Sequence, residues 1–355
     1  MNKTICALSL VLAFSLTKPA AAADWSAQDG AALTAEITKG DFGTVTSLLV
    51  SRRGTILYEQ YFGGADAGTL HNTRSATKTV AGMLMGAAIA DGLIASVNEP
   101  VTSFFPDLLP LKNPDPRKHE ITIEDILTMS SMLECNDSNR YSRGNEERMY
   151  LVENWVRFTL DLPIKGFAPW EERPEGNQYG RSFSYCTAGV HTLGQLVARA
   201  SSGGLDDYAQ KRLFAPLGIE KAEWQRTSLD RAVAAGGLGL STRSFMKLGQ
   251  LFTNKGTYAG KQVLPADWVE KSLQTHVIAR EGVEYGYLIW KSPAEVDGRE
   301  IMTNYMSGNG GNRIVFIPEE DLVIVLTKTD YNKRGAHAAS EKLITDGVLK
   351  RLIPG

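Results

Sequence analysis

The chain has 355 residues, 38 Lys+Arg against 40 Asp+Glu, five His and three Cys, with a hydrophobic share of 43% and a charged share of 22%. These are the values of ordinary folded chains, and they exclude disordered, collagen-like and coiled-coil classes. With a net charge of −2 and no run of Lys or Arg, the sequence lacks the electrostatic footprint of a nucleic-acid binder.

At the start, Lys3 precedes the apolar stretch Ile5–Leu16, and Ala21-Ala22-Ala23 closes it. That order of basic, apolar and small residues is a secretory signal peptide over residues 1–23, cleaved before Asp24. A membrane span needs about 20 apolar residues, and Thr17-Lys18-Pro19 interrupts this run. The expectation is therefore an exported protein, periplasmic or secreted, with no membrane span in the mature chain. Without Lys3 and Lys18, 36 basic residues face 40 acidic ones, a charge of −4. Cys6 leaves with the signal, so Cys135 and Cys186 remain in an oxidising compartment, either as a disulfide or as two buried thiols.

Ser47–Val50 and Ile56–Phe62 flank Arg52-Arg53-Gly54 and read as a hairpin. Thr73–Leu93 is apolar or small nearly all round, the pattern of a buried helix, and Asp91-Gly92 ends it. Residues 96–280 read as mostly helical, with helices over Ile121–Met129, Val190–Ala200, Leu205–Phe214 and Ser244–Phe252. Within them, 134–148 is a polar surface loop. Strands return at Tyr285–Trp290, Ile301–Met306, Asn312–Ile317 and Leu322–Thr327, before a closing helix at Ala338–Leu352. The expected architecture is an α/β (α+β) fold. One antiparallel sheet lobe is built from both termini (24–95 and 281–355), flanked by helices, and a mostly helical lobe (96–280) is inserted into it. The five histidines (His71, His119, His191, His276, His337) form no HxH or HExxH, so no zinc site is expected, and the serine chemistry described below needs no metal or organic cofactor.

The chemistry begins at Ser75-Ala76-Thr77-Lys78. Ser and Lys at i and i+3 share one helix face. A Ser at a helix N-terminus meets free N–H groups that favour developing negative charge. A Lys among apolar neighbours is favoured as the neutral, basic amine. Together they make a serine nucleophile that needs no histidine. The spacing itself is weak, since about one or two S-x-x-K matches are expected by chance at average usage. The chain carries three, at Ser15/Lys18, Ser75/Lys78 and Ser244/Lys247. The first falls in the signal peptide and the third in an amphipathic helix. Only Ser75/Lys78 heads an all-apolar helix.

Four segments in order then resemble the serine β-lactamase and penicillin-binding-protein superfamily, in its class C and esterase-like branch. They are Ser75–Lys78, Ile121–Ser131 ("TIxxLLTMTSG"), Phe214–Ile219 ("FxPLGM") and Ala235–Thr242 ("GGLxST"). The branch that holds 6-aminohexanoate-dimer hydrolases and related exported esterases and amidases is the nearest in pattern. The resemblance implies a β-lactamase/DD-peptidase-like fold. It also makes Tyr185, in Tyr185-Cys186-Thr187, the partner of Lys78 in proton transfer. Thr187 stands where the family's Tyr-x-Asn motif has Asn. Ser307-Gly308-Asn309-Gly310-Gly311-Asn312 is similar to the branch's "GHGGQ" turn, with Asn309 in place of a cation. The backbone N–H groups of Ser75 and Asn312 are implied as the oxyanion hole, and Thr187, Asn309, Gly310 and Gly311 as substrate contacts. Arg313 is a possible replacement cation, if its side chain faces the cleft rather than away.

By the same resemblance, Cys135 and Cys186 flank the active site, and a bridge between them would pin Tyr185. The 134–148 loop stands as a candidate cleft wall. Trp155, Trp170, Trp290 and Tyr287 are candidate lining residues, with Trp290 or Tyr287 favoured. The implied activity is hydrolysis of a small-molecule ester or amide through a Ser75 acyl-enzyme. The competing reading is a penicillin-recognising binding protein, or a weak class C-like β-lactamase, with little turnover. Composition leaves the oligomeric state open.

Overall fold

The computed structural model describes residues 25–166, 170 and 182–353; residues 1–23, read above as a signal peptide, lie outside the described residues. Apolar runs at both ends of the chain meet in one sheet. Its strands are β1 (Val45–Arg52), β2 (Thr55–Tyr61), β3 (Val277–Arg280), β4 (Val283–Tyr285), β5 (Trp290–Val296), β6 (Arg299–Gly308), β7 (Asn312–Ile317) and β8 (Leu322–Lys328). They lie antiparallel in the order β2-β1-β8-β7-β6-β5-β4-β3. The N-terminal hairpin is thus completed by the C-terminal strand, with Leu48 opposite Leu326 and Val50 opposite Ile324.

The central strands read as continuous apolar runs because helices cover both faces of the sheet. Val315, Ile317, Ile324 and Leu326 bury against α1 (Ala27–Thr38) and the C-terminal helices. Ile314, Phe316, Val323 and Val325 point the other way, into a larger core with α2 (Thr77–Ala90) and the helical lobe. Thr77 through Ala88 are all buried, as a helix without a polar face must be. In the helical lobe, α3 (Ile123–Leu127) starts at a capping box in which the Thr122 side chain accepts from Asp125 N–H and the Asp125 carboxylate accepts from Thr122 N–H. There follow α4 (Trp155–Asp161), α5 (Thr187–Ala200) and α6 (Thr242–Thr253).

Three expectations change. The strand read over Tyr285–Trp290 is two strands separated by a turn, in which Gly286 N–H donates to Ile289 O at 2.8 Å. Leu288 takes a left-handed φ of 56° there. Its N–H donates to Leu127 O and its carbonyl accepts from Thr79 Oγ1 at 2.6 Å, so contacts with α2 and α3 outcompete the ladder. The sheet also extends back to Val277, inside the stretch read as helical. Finally, the closing helix starts at Ala336 and widens into π-type turns over Leu343–Leu349. A separate small sheet pairs His71–Asn72 with Leu238–Leu240 and the latter with Glu223–Trp224.

Candidate active site

The small sheet is what holds the nucleophile. His71 and Asn72 pair with Leu240 and Gly239, and a tight turn over Arg74–Ala76 then delivers the chain into α2. Ser75 sits in that turn. Lys78, one turn on and 2% exposed, donates from Nζ to Ser75 Oγ at 2.9 Å and to Ala235 O at 2.7 Å. The carbonyl of the Ala235–Thr242 segment therefore aims Lys78 at Ser75, and Leu238 N–H donates to Thr77 Oγ1 in the same clamp. At Ser244/Lys247, by contrast, Nζ is drawn to Gly218 O at 3.0 Å. Identical spacing gives different chemistry because only one lysine is walled in.

Tyr185 comes from the far side of the helical lobe. The Lys78 Nζ lies 5.0 Å from its ring centroid, and Trp290 stacks on the ring at 5.6 Å. Tyr185 is not in a strand. Its extended segment is tied to the end of the Ile121–Ser131 stretch, with Ser184 N–H on Met129 O at 2.7 Å and Ser184 Oγ on Cys135 O at 2.6 Å. A disulfide joins Cys135 and Cys186, whose Cα atoms are 5.4 Å apart, and fixes the segment covalently.

Asp137, two residues beyond that bridge, is a site residue that sequence reasoning passed over. Its N–H donates to Tyr185 O at 2.9 Å, and its carboxylate accepts from Thr187 N–H at 2.7 Å and Glu146 N–H at 2.9 Å. Burial pushes this carboxyl above the usual Asp range, against the lowering pull of the Thr187 hydrogen bond and the Lys78 charge. The only sequence signal was its place beside Cys135 in a polar loop.

A cavity of about 670 Å³ opens over Ser75. Glu147, Tyr150, Trp155 and Thr187 line one side, and Arg74, Asn309 and Tyr331 the other. The 134–148 loop thus contributes a wall through its helical end, Glu146–Met149. Thr187 Oγ1 is buried at the cavity edge. Trp170 is 86% exposed, whereas Tyr287 is a core residue that donates to Glu124 and stacks on His276 at 4.3 Å.

Gly310 and Gly311 adopt φ of 87° and 85°, which favours glycine. A Cβ at Gly310 would meet Tyr331 and one at Gly311 would meet Ala336 O and Ser340 Oγ, so both positions shape the turn through glycine. Gly308 is the residue pressed on the nucleophile turn, because a Cβ there would meet Thr73 and Ala76 backbone. The Asn312 side chain points inward, donating to Asn309 O at 2.7 Å and accepting from Lys328 N–H at 2.9 Å. Arg313 faces away from α2: it shares a face with Tyr305, lies 4.5 Å over its ring and donates to Ser307 Oγ. It is not the missing cation. Asn309 lies at the cavity rim, its amide paired with Asn332 at 2.6 Å and 2.9 Å.

No group of His, Cys, Asp and Glu fit to hold a metal occurs among the described residues, and no helix there is long and apolar enough to cross a membrane. The histidines take no part in the Ser75–Lys78 contact. Burial drives His191 to a pKa of about 3, and its ring packs edge-on against Trp155 at 4.9 Å.

A serine held by a buried lysine, at the head of a central helix between an antiparallel sheet and a helical lobe, is the arrangement of the β-lactamase/DD-peptidase fold. The chain belongs to the Beta-lactamase family, whose sequence model matches residues 38–346. It is 23% identical over 228 residues to the 6-aminohexanoate-dimer hydrolase of Paenarthrobacter ureafaciens, covering 64% of this chain and 56% of that protein. This match thus spans little more than half of that relative's length. Two solved structures share the fold. The penicillin-binding protein from Bacillus halodurans has a TM-score of 0.65 at 18% identity, over 86% of this chain and 97% of that one. EstCE1, titled a hydrolase with promiscuous acyltransferase activity, has 0.70 at 13% identity, over 91% and 98%.

Proposed function

We propose that this chain is an exported serine hydrolase, periplasmic or secreted, that cleaves a small-molecule ester or linear amide by way of a Ser75 acyl-enzyme. The observation that carries the reading is the 2.9 Å contact from Lys78 Nζ to Ser75 Oγ beneath an open cavity. Ser75 Oγ bonds to the substrate carbonyl carbon. The serine proton passes to the Lys78/Tyr185 pair, which returns it to the departing alkoxide or amine. Backbone N–H groups of Ser75 and Asn312 hold the oxyanion. Water then adds to the acyl ester, and the second tetrahedral intermediate releases the acid and restores Ser75.

Linear esters and amides are favoured over β-lactams because Thr187 and Asn309 replace an amide and a cation in the family motifs. The names of the relatives, a 6-aminohexanoate-dimer hydrolase and a hydrolase with promiscuous acyltransferase activity, support a hydrolytic acyl-transfer reading. The test is turnover of p-nitrophenyl acetate and butyrate and of nitrocefin, with fluorophosphonate labelling, in wild type, Ser75→Ala and Lys78→Ala. Ester turnover with labelling that Ser75→Ala abolishes is expected, and Lys78→Ala should cost about 10²–10⁴ in kcat. Labelling without turnover would establish the penicillin-recognising binder instead. Fast nitrocefin turnover would overturn the substrate preference.

A further inference from the structure

Of the two arginines that line the cavity, one has no carboxylate partner among the described residues. Arg74 immediately precedes the nucleophile and lines the cavity with Ser75. No carboxylate among the described residues stands within ion-pair distance of its guanidinium. The other arginine at the cavity, Arg226, is by contrast consumed by Asp206 at 2.5 Å and Asp230 at 3.4 Å.

Arg74 is also held in place at a conformational cost. Its φ is 55°, in a region that non-glycine residues rarely occupy. Such strain persists where the surroundings over-determine it, and it gathers at functional sites. Two contacts do so here. Asn72 Oδ1 accepts from Arg74 N–H at 2.8 Å, and the guanidinium lies 4.4 Å over the Tyr331 ring, whose hydroxyl donates to Asn72 O at 3.1 Å. Stacking on an aromatic face leaves the N–H edge of a guanidinium free to take a planar anion in two parallel hydrogen bonds. The amides of Asn309 and Asn332, paired with each other, close the same rim without bringing charge.

We propose that Arg74 is the specificity-determining residue of this site: it binds a carboxylate carried by the ester or amide substrate and sets that substrate against Ser75. The proposal rests on the acyl-enzyme reading above. It assigns the anion-binding role to the residue before the nucleophile rather than to the Gly-rich turn or to Arg313.

The experiment compares kcat/KM for matched charged and neutral esters in wild type, Arg74→Lys and Arg74→Asn, the last chosen because Asn tolerates left-handed backbone. One pair carries the charge on the leaving group, 4-acetoxybenzoate against 4-acetoxybenzamide. The other carries it on the acyl group, mono-p-nitrophenyl adipate against p-nitrophenyl hexanoate. Wild type should prefer the anion of at least one pair by about tenfold or more, the scale of one charge-assisted contact. That preference should sit in KM, weaken with added salt, shrink in Arg74→Lys and vanish in Arg74→Asn. Fluorophosphonate labelling of Ser75 checks that each variant keeps an intact nucleophile. A wild-type enzyme that turns over both neutral esters yet shows no anion preference overturns the proposal, whatever the variants do. So does a preference that survives in a folded, labelled Arg74→Asn. Loss of all ester turnover and labelling in wild type would instead refute the acyl-enzyme reading beneath it.

Discussion

Gly308→Ala tests whether the β6 strand end and the nucleophile turn form one rigid unit. An added Cβ would lie 2.9 Å from the carbonyl carbon of Thr73, 3.2 Å from Ala76 N, and nearer still to Thr73 O. Ordinary contact starts at 3.4 Å, so the carbon contact alone forces the two backbones at least 0.5 Å apart. The oxygen demands more. Neither side yields easily: Thr73 is followed by the strained Arg74, and Gly308 is held in the ladder opposite Asn312. Overpacking of this kind costs about 1–3 kcal/mol, read as a few degrees in Tm. The larger effect falls on catalysis, since a misplacement of about 1 Å can cost roughly 10² in rate. The expected result is a loss of about 10–100-fold in kcat on p-nitrophenyl butyrate, with most of the protein folded by circular dichroism. Gly166→Ala, where an added Cβ meets nothing within 4 Å, serves as the control. Gly308→Ala with more than half of wild-type kcat would refute the reasoning. So would a loss that merely tracks the unfolded fraction.

The disulfide and the buried charges give two further expectations. Replacing Cys135 and Cys186 together by Ser should cost about 2–5 kcal/mol of stability, and should lower kcat by freeing the Tyr185 segment; unchanged kcat in the folded fraction would show that the bridge does not position Tyr185. Asp330 is 4% exposed and anchors the buried Lys328 at 3.4 Å, Lys333 at 2.9 Å and Thr44 N–H at 2.8 Å. Burial raises its pKa, but the Lys333 and Thr44 hydrogen bonds and the Lys328 charge outweigh that and hold it at about 2. A folded pKa below the unfolded value stabilises above the ordinary Asp range, and that contribution is lost as pH falls from about 4 to about 2. Asp330→Asn should therefore lower stability at pH 7 by about 2 kcal/mol and flatten acid unfolding over that window; an unchanged acid limb in denaturant melts would count against it.

Local features were legible in the residues alone. A run of small and apolar residues behind Ser75 and Lys78 announces a buried helix, because a helix with no polar face must be covered. The Thr122/Asp125 cap, the Arg52-Arg53-Gly54 turn and the apolar runs of β7 and β8 follow from the same short-range rules. The ordered motif segments pointed to Tyr185 and, together with the expectation of export, to the pairing of Cys135 with Cys186 that the structure forms.

What tertiary structure alone decided lies in contacts between residues far apart in the chain. Lys78 meets the carbonyl of Ala235, 157 residues on, and that contact separates it from Lys247 at the same spacing. Asp137 acquires its place only when the loop is drawn against Tyr185 and Thr187. Arg74 acquires its orientation from Tyr331, brought in from beyond β8 to stack against its guanidinium. Whether Arg313 or Arg74 supplies the cavity's cation depends on which face of β7 a side chain takes and on a left-handed φ one residue before Ser75. Backbone direction of that kind is set by pairing across the whole fold, and local sequence pattern carries no record of it.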